Sequence, residues 1–372
     1  MSDGGQPIHV AVTGDLVLDE PDAAHWLSGI APALIAADLA IGHLEVPHTD
    51  SLDELEGDVP APGAPLENLD ALPSAGLKIV TLAGNHIADC GPQGIADTIA
   101  GLERNGVLHT GAGRDLAQAR APAIAEVAGQ RIAVLSYNCV GPLSAWAGAR
   151  KAGCAYLPIA TVDGSSVSPT APLERVPPEA ADILREDIAA ARFDADFVIV
   201  SLHKGIVHTP ALLAPYEREI AHLAIDCRAD AVISHHAHIV RGIEFHQGRP
   251  IFHGLGNGCV VTSALSPDQD HPARKEWAER RKKLFGFEPD PAYRLAPFHP
   301  EAVNAFIGKL EFRRGELPRA SIIPVFIEAP GRPVLAKGAQ ARKIADYVER
   351  ITSDAGLPAI RIGDDWGVES RP

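Results

Sequence analysis

The chain has 372 residues, 33 Lys and Arg against 48 Asp and Glu for a formal net charge of −15, with 46% hydrophobic and 22% charged residues. This is ordinary for a soluble globular protein, and the negative surplus argues against a nucleic-acid backbone as the main partner. Five cysteines, widely spaced and without a Cys-x-x-Cys pair, argue against a disulfide framework or zinc knuckle and predict buried free thiols.

The polar Met1–Pro7 segment shows no signal-peptide pattern, and no uninterrupted apolar run reaches membrane-spanning length. The chain therefore reads as cytoplasmic, with no membrane partner. Ile8–Thr13 is a strand ending in Gly14-Asp15-Leu16, and Trp26–Ala37 has helical spacing. Asp38–Gly42 is a second short strand, followed by His43-Leu44-Glu45. Residues 47–66, rich in Asp, Glu and Pro, read as a surface loop, and Leu69–Ala75 as a helix. Lys78–Leu82 is a buried strand that runs into Gly84-Asn85-His86-Ile87-Ala88-Asp89.

Helix 94–105, a strand near Val107–Thr110, helix 115–120 and the pair Ala123–Val127 and Arg131–Tyr137 come next. Residues 141–176 form an extended excursion. Helix 178–192 precedes the strand Phe197–Leu202, which ends at His203. Helix 215–227 precedes Ala231–Ser234, which ends at His235-His236-Ala237-His238. Gly242–His246 and Pro250–His253 flank a Gln247-Gly248 turn. Residues 265–300 are a charged, Pro-bearing insertion near the site, with helix 273–284 inside. The tail, 301–372, holds strands Ala305–Phe312 and Ser321–Glu328 and helix 338–353. With no repeat and no low-complexity linker, residues 1–372 read as a single α/β domain.

Asp15, Glu45, Asn85, His203, His236 and His238 each follow a predicted strand. Strands of one sheet end along a common edge, where α/β proteins place ligand sites. Carboxylates, an amide oxygen and imidazoles form a mixed ligand set for a divalent cation: Mn, Fe or Zn, or Ca if oxygens dominate. In an extended segment His236 and His238 would point to one side. His86 offers a proton carrier, and Asp89, three residues on, can orient its imidazole. Singly, Asp15 could cap a helix, Glu45 could be a solvated acid and His203 a satisfied core histidine. Their joint occurrence at successive strand ends favours a metal site.

Gly14-Asp15, Gly42-x-x-Glu45, Gly84-Asn85-His86, His203 and His236-x-His238, in that order, resemble the motifs of the calcineurin-like metallophosphoesterases. Asn85-His86-x-x-Asp89-x-Gly91, Thr110-Gly111-Ala112-Gly113, Gly248-Arg249-Pro250-Ile251-Phe252, Leu255-Gly256-Asn257 and Pro297-Phe298-His299-Pro300 resemble its CapA-like, poly-γ-glutamate capsule branch. The resemblance implies an α/β/β/α sandwich and a metal centre. The chain departs from the pattern in three places. Leu16-Val17 follows Asp15 where an imidazole is usual, Glu45 stands where phosphatases have Asp, and Lys204 stands where Trp is common.

The surplus of His near carboxylates is similar to that of the lasso-peptide epimerases, CapA-like proteins that invert the Cα of a precursor's C-terminal residue. That implies a peptide substrate and two opposed acid/base pairs, His86 with Asp89 and His299 with Asp15, since inversion needs a group on each face. His299, between two prolines, also reads as a surface histidine, and His43, His208 and His253 compete for the second role. The alternatives are a metallophosphoesterase or CapA-type polyglutamate enzyme, and a non-catalytic protein on a decayed metal site.

Overall fold

In the computed structural model, which describes residues 6–371 apart from 57 and 267, alternation along β1 (Ile8–Leu18) sends Ile8, Val10 and Val12 to one face and Ala11 to the other. Both faces are buried, so the strand's sequence is a continuous apolar run rather than an alternating one. The first five residues of the Met1–Pro7 segment lie outside the described residues. Three parallel strands continue the sheet beside β1: β2 (Leu39–Leu44), β3 (Ile79–Thr81) and β4 (Leu108–Thr110).

The chain then builds a second sheet from β5 (Ala123–Val127), β6 (Gln130–Asn138), β7 (Phe197–His203), β8 (Ala231–His235), β9 (Val240–His246) and β10 (Arg249–Leu255). Their order is β9-β10-β8-β7-β6-β5, parallel in the middle with an antiparallel strand at each edge. β11 (Asn257–Val261) returns to the first sheet, parallel to the end of β1. The antiparallel strands β12 (Asn304–Phe312), β13 (Arg319–Glu328) and β14 (Arg332–Leu335) extend that sheet from the same edge of β1, the one away from β2.

Val10, Ile41, Val134, Ile199, Ile233 and Phe306 fill the space between the sheets. α1 (Gly91–Arg104) covers the outer face of the first sheet through Ile95, Ile99 and Leu102. α2 (Pro178–Asp194) and α3 (Pro215–Asp226) cover the outer face of the second through Leu184, Ile188 and Ile220. The result is the expected α/β/β/α sandwich. α4 (Pro272–Phe285) lies in the charged insertion, and α5 (Gly338–Asp354) packs on β9 and β13. All five cysteines are free, four of them buried. Among the described residues no helix is long and apolar enough to cross a membrane.

Several expectations are corrected. The predicted helix Trp26–Ala37 is two short helices, Ala23–Leu27 and Ala31–Ile35, separated near Gly29. A Cβ on Gly29 would lie 2.2 Å from the Pro333 carbonyl, so the break lets the chain approach β14. Leu69–Ala75 is split between a 3₁₀ turn, Leu66–Asp70, and a single helical turn, Ala71–Ser74. β2 runs two residues further than expected and takes in His43. β11 was not anticipated at all, because its Gly-rich start reads as a turn. Residues 47–66 are not a plain surface loop: His48, Thr49 and Ala64 are buried, and paired amides (Thr49 N–H to the Ala64 carbonyl, 3.0 Å; Ala64 N–H to the Pro47 carbonyl, 2.9 Å) satisfy the backbone there.

Behind the strand ends lies a fully buried charge network. Lys204 Nζ is 3.1 Å from Glu217 Oε2, and Arg241 donates to Glu217 Oε1 at 3.5 Å. Arg241 also donates to the carbonyls of Ile206, Thr209 and Leu212, so this network holds the loop after β7. Glu217→Ala leaves two buried cations without their carboxylate and is expected to cost about 3–5 kcal/mol of unfolding free energy in urea titrations. A loss within experimental error would show that the network carries no such load.

Candidate metal centre

The register of the first sheet does the initial assembly. Asp15 in β1 lies opposite His43 in β2 and Asn257 in β11. β1 and β11 approach so closely that a Cβ on Gly14 would sit 1.9 Å from the Gly256 carbonyl oxygen, which explains the glycine before Asp15. Glu45 follows the end of β2, and Asn85 and His86 follow β3. His203 ends β7 directly opposite His235, which ends β8. His236 and His238 do not lie in an extended segment as expected. They occupy a turn with φ of 88° and 54°, a left-handed conformation that costs each of these residues roughly 1–2 kcal/mol. The turn still folds both rings back toward Glu45.

Three overlapping groups result, each with ligand atoms within 4.8 Å of one another: Asp15, His43 and His203; Glu45, His203 and His236; Asp15, Glu45 and His238. Glu45 Oε1 lies 3.3 Å from His238 Nε2 and 4.0 Å from His203 Nε2. Asp15 Oδ1 lies 3.3 Å from His235 Nδ1, and its Oδ2 lies 3.5 Å from His238 Nδ1. Asn85 turns its oxygen to His203 Nε2 at 2.7 Å, while its amide nitrogen donates to Asp58 at 2.9 Å.

Beyond these contacts several atoms lack any hydrogen-bond partner: Glu45 Oε2, His43 Nε2, His203 Nδ1, His235 Nε2 and both ring nitrogens of His236. Leaving so many buried polar atoms unpaired is costly, and convergent lone pairs are what a cation satisfies. The electrostatics agree for three of the rings and differ for His238, which burial lowers but the charges of Glu45 and Asp15 raise from 6.5 to about 9. Burial brings the His43, His235 and His236 imidazoles down to about 3, so they are neutral, the form in which imidazole binds a metal. Burial, and then the charge of Glu45, push the Asp15 carboxyl up to about 7, the strain of two carboxylates sharing a buried site. The residues present fit a divalent cation.

His86 stands apart from this floor. Its Nδ1 is 2.7 Å from Asp89 Oδ2, an oxygen that also accepts from the Ala61 amide at 2.6 Å. The imidazole is 23% exposed, and the exposed part faces a cleft. Val17, Val46, Val207, Val260 and Phe298 wall that cleft, residues 58–62 close one side, and Arg274 and Trp277 of α4 close another. The 265–300 insertion thus forms part of the site.

His299 does not join Asp15. It caps the short 3₁₀ helix Pro300–Val303, its Nδ1 accepting from the Glu301 amide at 3.1 Å, and it lines a neighbouring cavity with Asn257 and Tyr293. Phe298, stacked on His238 at 4.8 Å, lines both cavities. Asp15 is instead paired with His235 and His238. His235 was missed, because a run of adjacent histidines gives no sign of which rings turn inward. His43 and His208 were named only as substitutes. His43 shares a strand face with Glu45, two residues on, which was the available signal. His208 enters the cleft wall through a loop residue of φ 56° that no periodicity marks.

Residues 9–260 match the family described as bacterial capsule synthesis protein PGA_cap. The chain is 32% identical over 194 residues to a probable polyglutamine synthesis accessory protein of Mycobacterium tuberculosis, covering 51% of this chain and 47% of that protein. It is 25% identical over 242 residues to the PGA biosynthesis protein CapA of Bacillus subtilis, covering 65% and 58% respectively. The chain thus spans about half the length of the curated relatives it matches. Among solved structures, calcineurin-like phosphoesterase YfkN from Bacillus subtilis is similar with a TM-score of 0.36 at 10% identity, covering 94% of this chain and 97% of that one. By the match over residues 9–260, the chain belongs to the bacterial capsule synthesis protein PGA_cap family.

Proposed function

We propose that this chain is a metal-dependent hydrolase of the CapA type, acting on a phosphoester or on a polyglutamate-type polymer. The observation that carries it is the set of carboxylate and imidazole atoms converging at the strand ends, several of them unpartnered, beneath an imidazole–carboxylate pair whose imidazole opens to the cleft. Asp15, Glu45, His203, His236 and His238 would hold the cation, with the Asn85 oxygen beside them. Because imidazoles outnumber carboxylates there, Mn, Fe or Zn suits the site better than Ca. When bound, the cation supplies Lewis-acid polarisation and offsets developing negative charge.

The chain's own residues do the rest. His86, charged and held by Asp89, delivers a proton to the leaving group from its Nε2. The loop of residues 58–62 and Phe298 narrow access of water. Arg274 is the one guanidinium or ammonium among the described residues lining the cleft, and it offers a positive charge to a substrate anion. The names of the relatives, which speak of polyglutamine synthesis and capsule biosynthesis, support a polymer-related substrate.

A second reading, inversion of a peptide's C-terminal Cα, has one observation in its favour. An apolar wall beside a single guanidinium suits the end of an apolar peptide with a free carboxylate. It needs a second acid/base group, and with His299 turned away His208 is the imidazole left to supply it.

One pair of assays separates the two. The metal-loaded protein is offered an aryl phosphodiester and poly-γ-glutamate in one series, and apolar-ended peptides in D2O in the other. Metal-dependent hydrolysis, lost in Glu45→Ala and His86→Ala, is the expected result. No hydrolysis, with deuterium at a terminal Cα, would transfer the site to the second reading.

A further inference from the structure

The first motif carries Val17 where the superfamily resemblance expects an imidazole, yet the centre is not short of nitrogen. His43 arrives from the neighbouring strand. The register of β1 on β2 sets it opposite Asp15, and ligand atoms of Asp15, His43 and His203 lie within 4.8 Å of one another. We propose that His43 is itself a cation ligand, forming with Asp15 and His203 an imidazole-rich subsite behind Glu45. The proposal rests on the reading that the cluster holds a divalent cation, and it adds a ligand and a preferred class of ion, the borderline Fe, Co or Zn.

The hydrogen bonds leave both rings able to turn a lone pair inward. The Thr81 hydroxyl lies 3.0 Å from His43 Nδ1 and 3.5 Å from the Gly42 carbonyl, so it can accept from Nδ1 while donating to that carbonyl. A cation on Nε2 would select that tautomer of His43. The Asn85 oxygen, 2.7 Å from His203 Nε2, accepts that ring's proton and leaves the lone pair on Nδ1. These two nitrogens, His43 Nε2 and His203 Nδ1, are both buried without a partner.

They also meet at one place. A Cβ added to Gly84 would lie 3.2 Å from His43 Nε2 and 3.4 Å from His203 Nδ1. Gly84 has no need of a left-handed backbone, so the missing side chain serves the space in front of the two lone pairs. Mere stacking does not account for this. The His43 ring does lie on His235 at 4.6 Å, but packing alone leaves two acceptors buried and unpaired, each at a cost that an apolar side chain would avoid. A cation bound to both, with Asp15 as the charged partner, satisfies all three.

The test titrates Co(II) into the chelated full chain, following visible absorption and metal content, and compares wild type with His43→Asn and Thr81→Val. Loss of a direct ligand is expected to weaken Co(II) by at least ~100-fold, and loss of the Thr81 acceptor by about tenfold. Because His43→Asn could fold poorly, histidine ¹⁵N shifts of the wild type with and without Zn(II) give an independent reading. His43 Nε2 and His203 Nδ1 should leave the free-lone-pair range when Zn(II) is added. If wild type binds metal while His43→Asn binds it equally and the His43 shift stays put, His43 is a packing residue and the proposal fails alone. If wild type binds no metal, the underlying reading of the cluster fails with it.

Discussion

Glu45→Ala loses the bound cation and, with it, turnover. Glu45, like Asp15 and His203, belongs to two of the three ligand groups, and its Oε2 is buried without a hydrogen-bond donor. Removing it takes away one of the two carboxylates that make a divalent cation welcome among the imidazoles, so affinity should fall by at least ~100-fold. Stability should fall in both states, and further when metal is present. Without metal, burial raises the Glu45 carboxyl but His238, then His86 and His43, bring it from 4.5 down to about 2, so Glu45→Ala removes the partner of a buried imidazolium and should already lower the melting temperature near neutral pH. With metal at 100 times its Kd, wild type gains about 2.7 kcal/mol that the variant does not. Paired thermal melts with and without added Mn or Zn check this widening gap. Equal responses of the two proteins to metal would remove Glu45 from the ligand set.

His86→Ala should behave in the opposite way: metal content near that of wild type, and turnover lower by roughly 10²–10⁴-fold. The pair it forms with Asp89 lies beside the ligand groups rather than within them, and its imidazole opens to the cleft. Asp89→Asn keeps the shape but removes the charge that orients the ring, and should fall between the two. In the metal-free protein burial alone would lower His86, but Asp89, then Asp58 and Glu45, carry it from 6.5 to about 10. A raised value means that the pair's contribution to stability is complete below 6.5 and is lost as pH rises toward 10. The stability gap between wild type and His86→Ala should therefore shrink across that window. An emptied metal site in His86→Ala would instead make His86 a ligand.

What the sequence revealed depended on how local each feature is. β7 and β8 are continuous apolar runs that end in a His, so the strands and the residues at their tips were legible together, whereas β1 runs on past the expected end at Thr13 to Leu18 and holds Asp15 within it. The candidate ligand positions Asp15, Glu45, Asn85, His203, His236 and His238 were read from the ends of the expected strands. Features set by register or by loop geometry were not legible. His43 lies within β2, and only the pairing of β1 with β2 brings it to Asp15. β11 begins at a Gly-Asn-Gly stretch that suits a turn, and it becomes a strand because β1 offers it an open edge. His299 was assigned to Asp15 from a resemblance that says nothing about the 3₁₀ cap holding it elsewhere. The loop 47–66 reads as polar surface because its buried groups are satisfied by each other and by Asp89, a long-range fact that no composition reports.

Whether the strand-end cluster is a metal centre is read most directly by elemental analysis of the purified chain, joined to its melting temperature before and after chelation. Stoichiometric Mn, Fe or Zn is expected. Its removal should lower the melting temperature by several degrees, and re-addition should restore it, because the cation binds the folded state alone. A chain that is metal-free as isolated, melts at the same temperature with or without chelator and gains nothing from added Mn, Fe, Zn or Ca would contradict the metal centre outright.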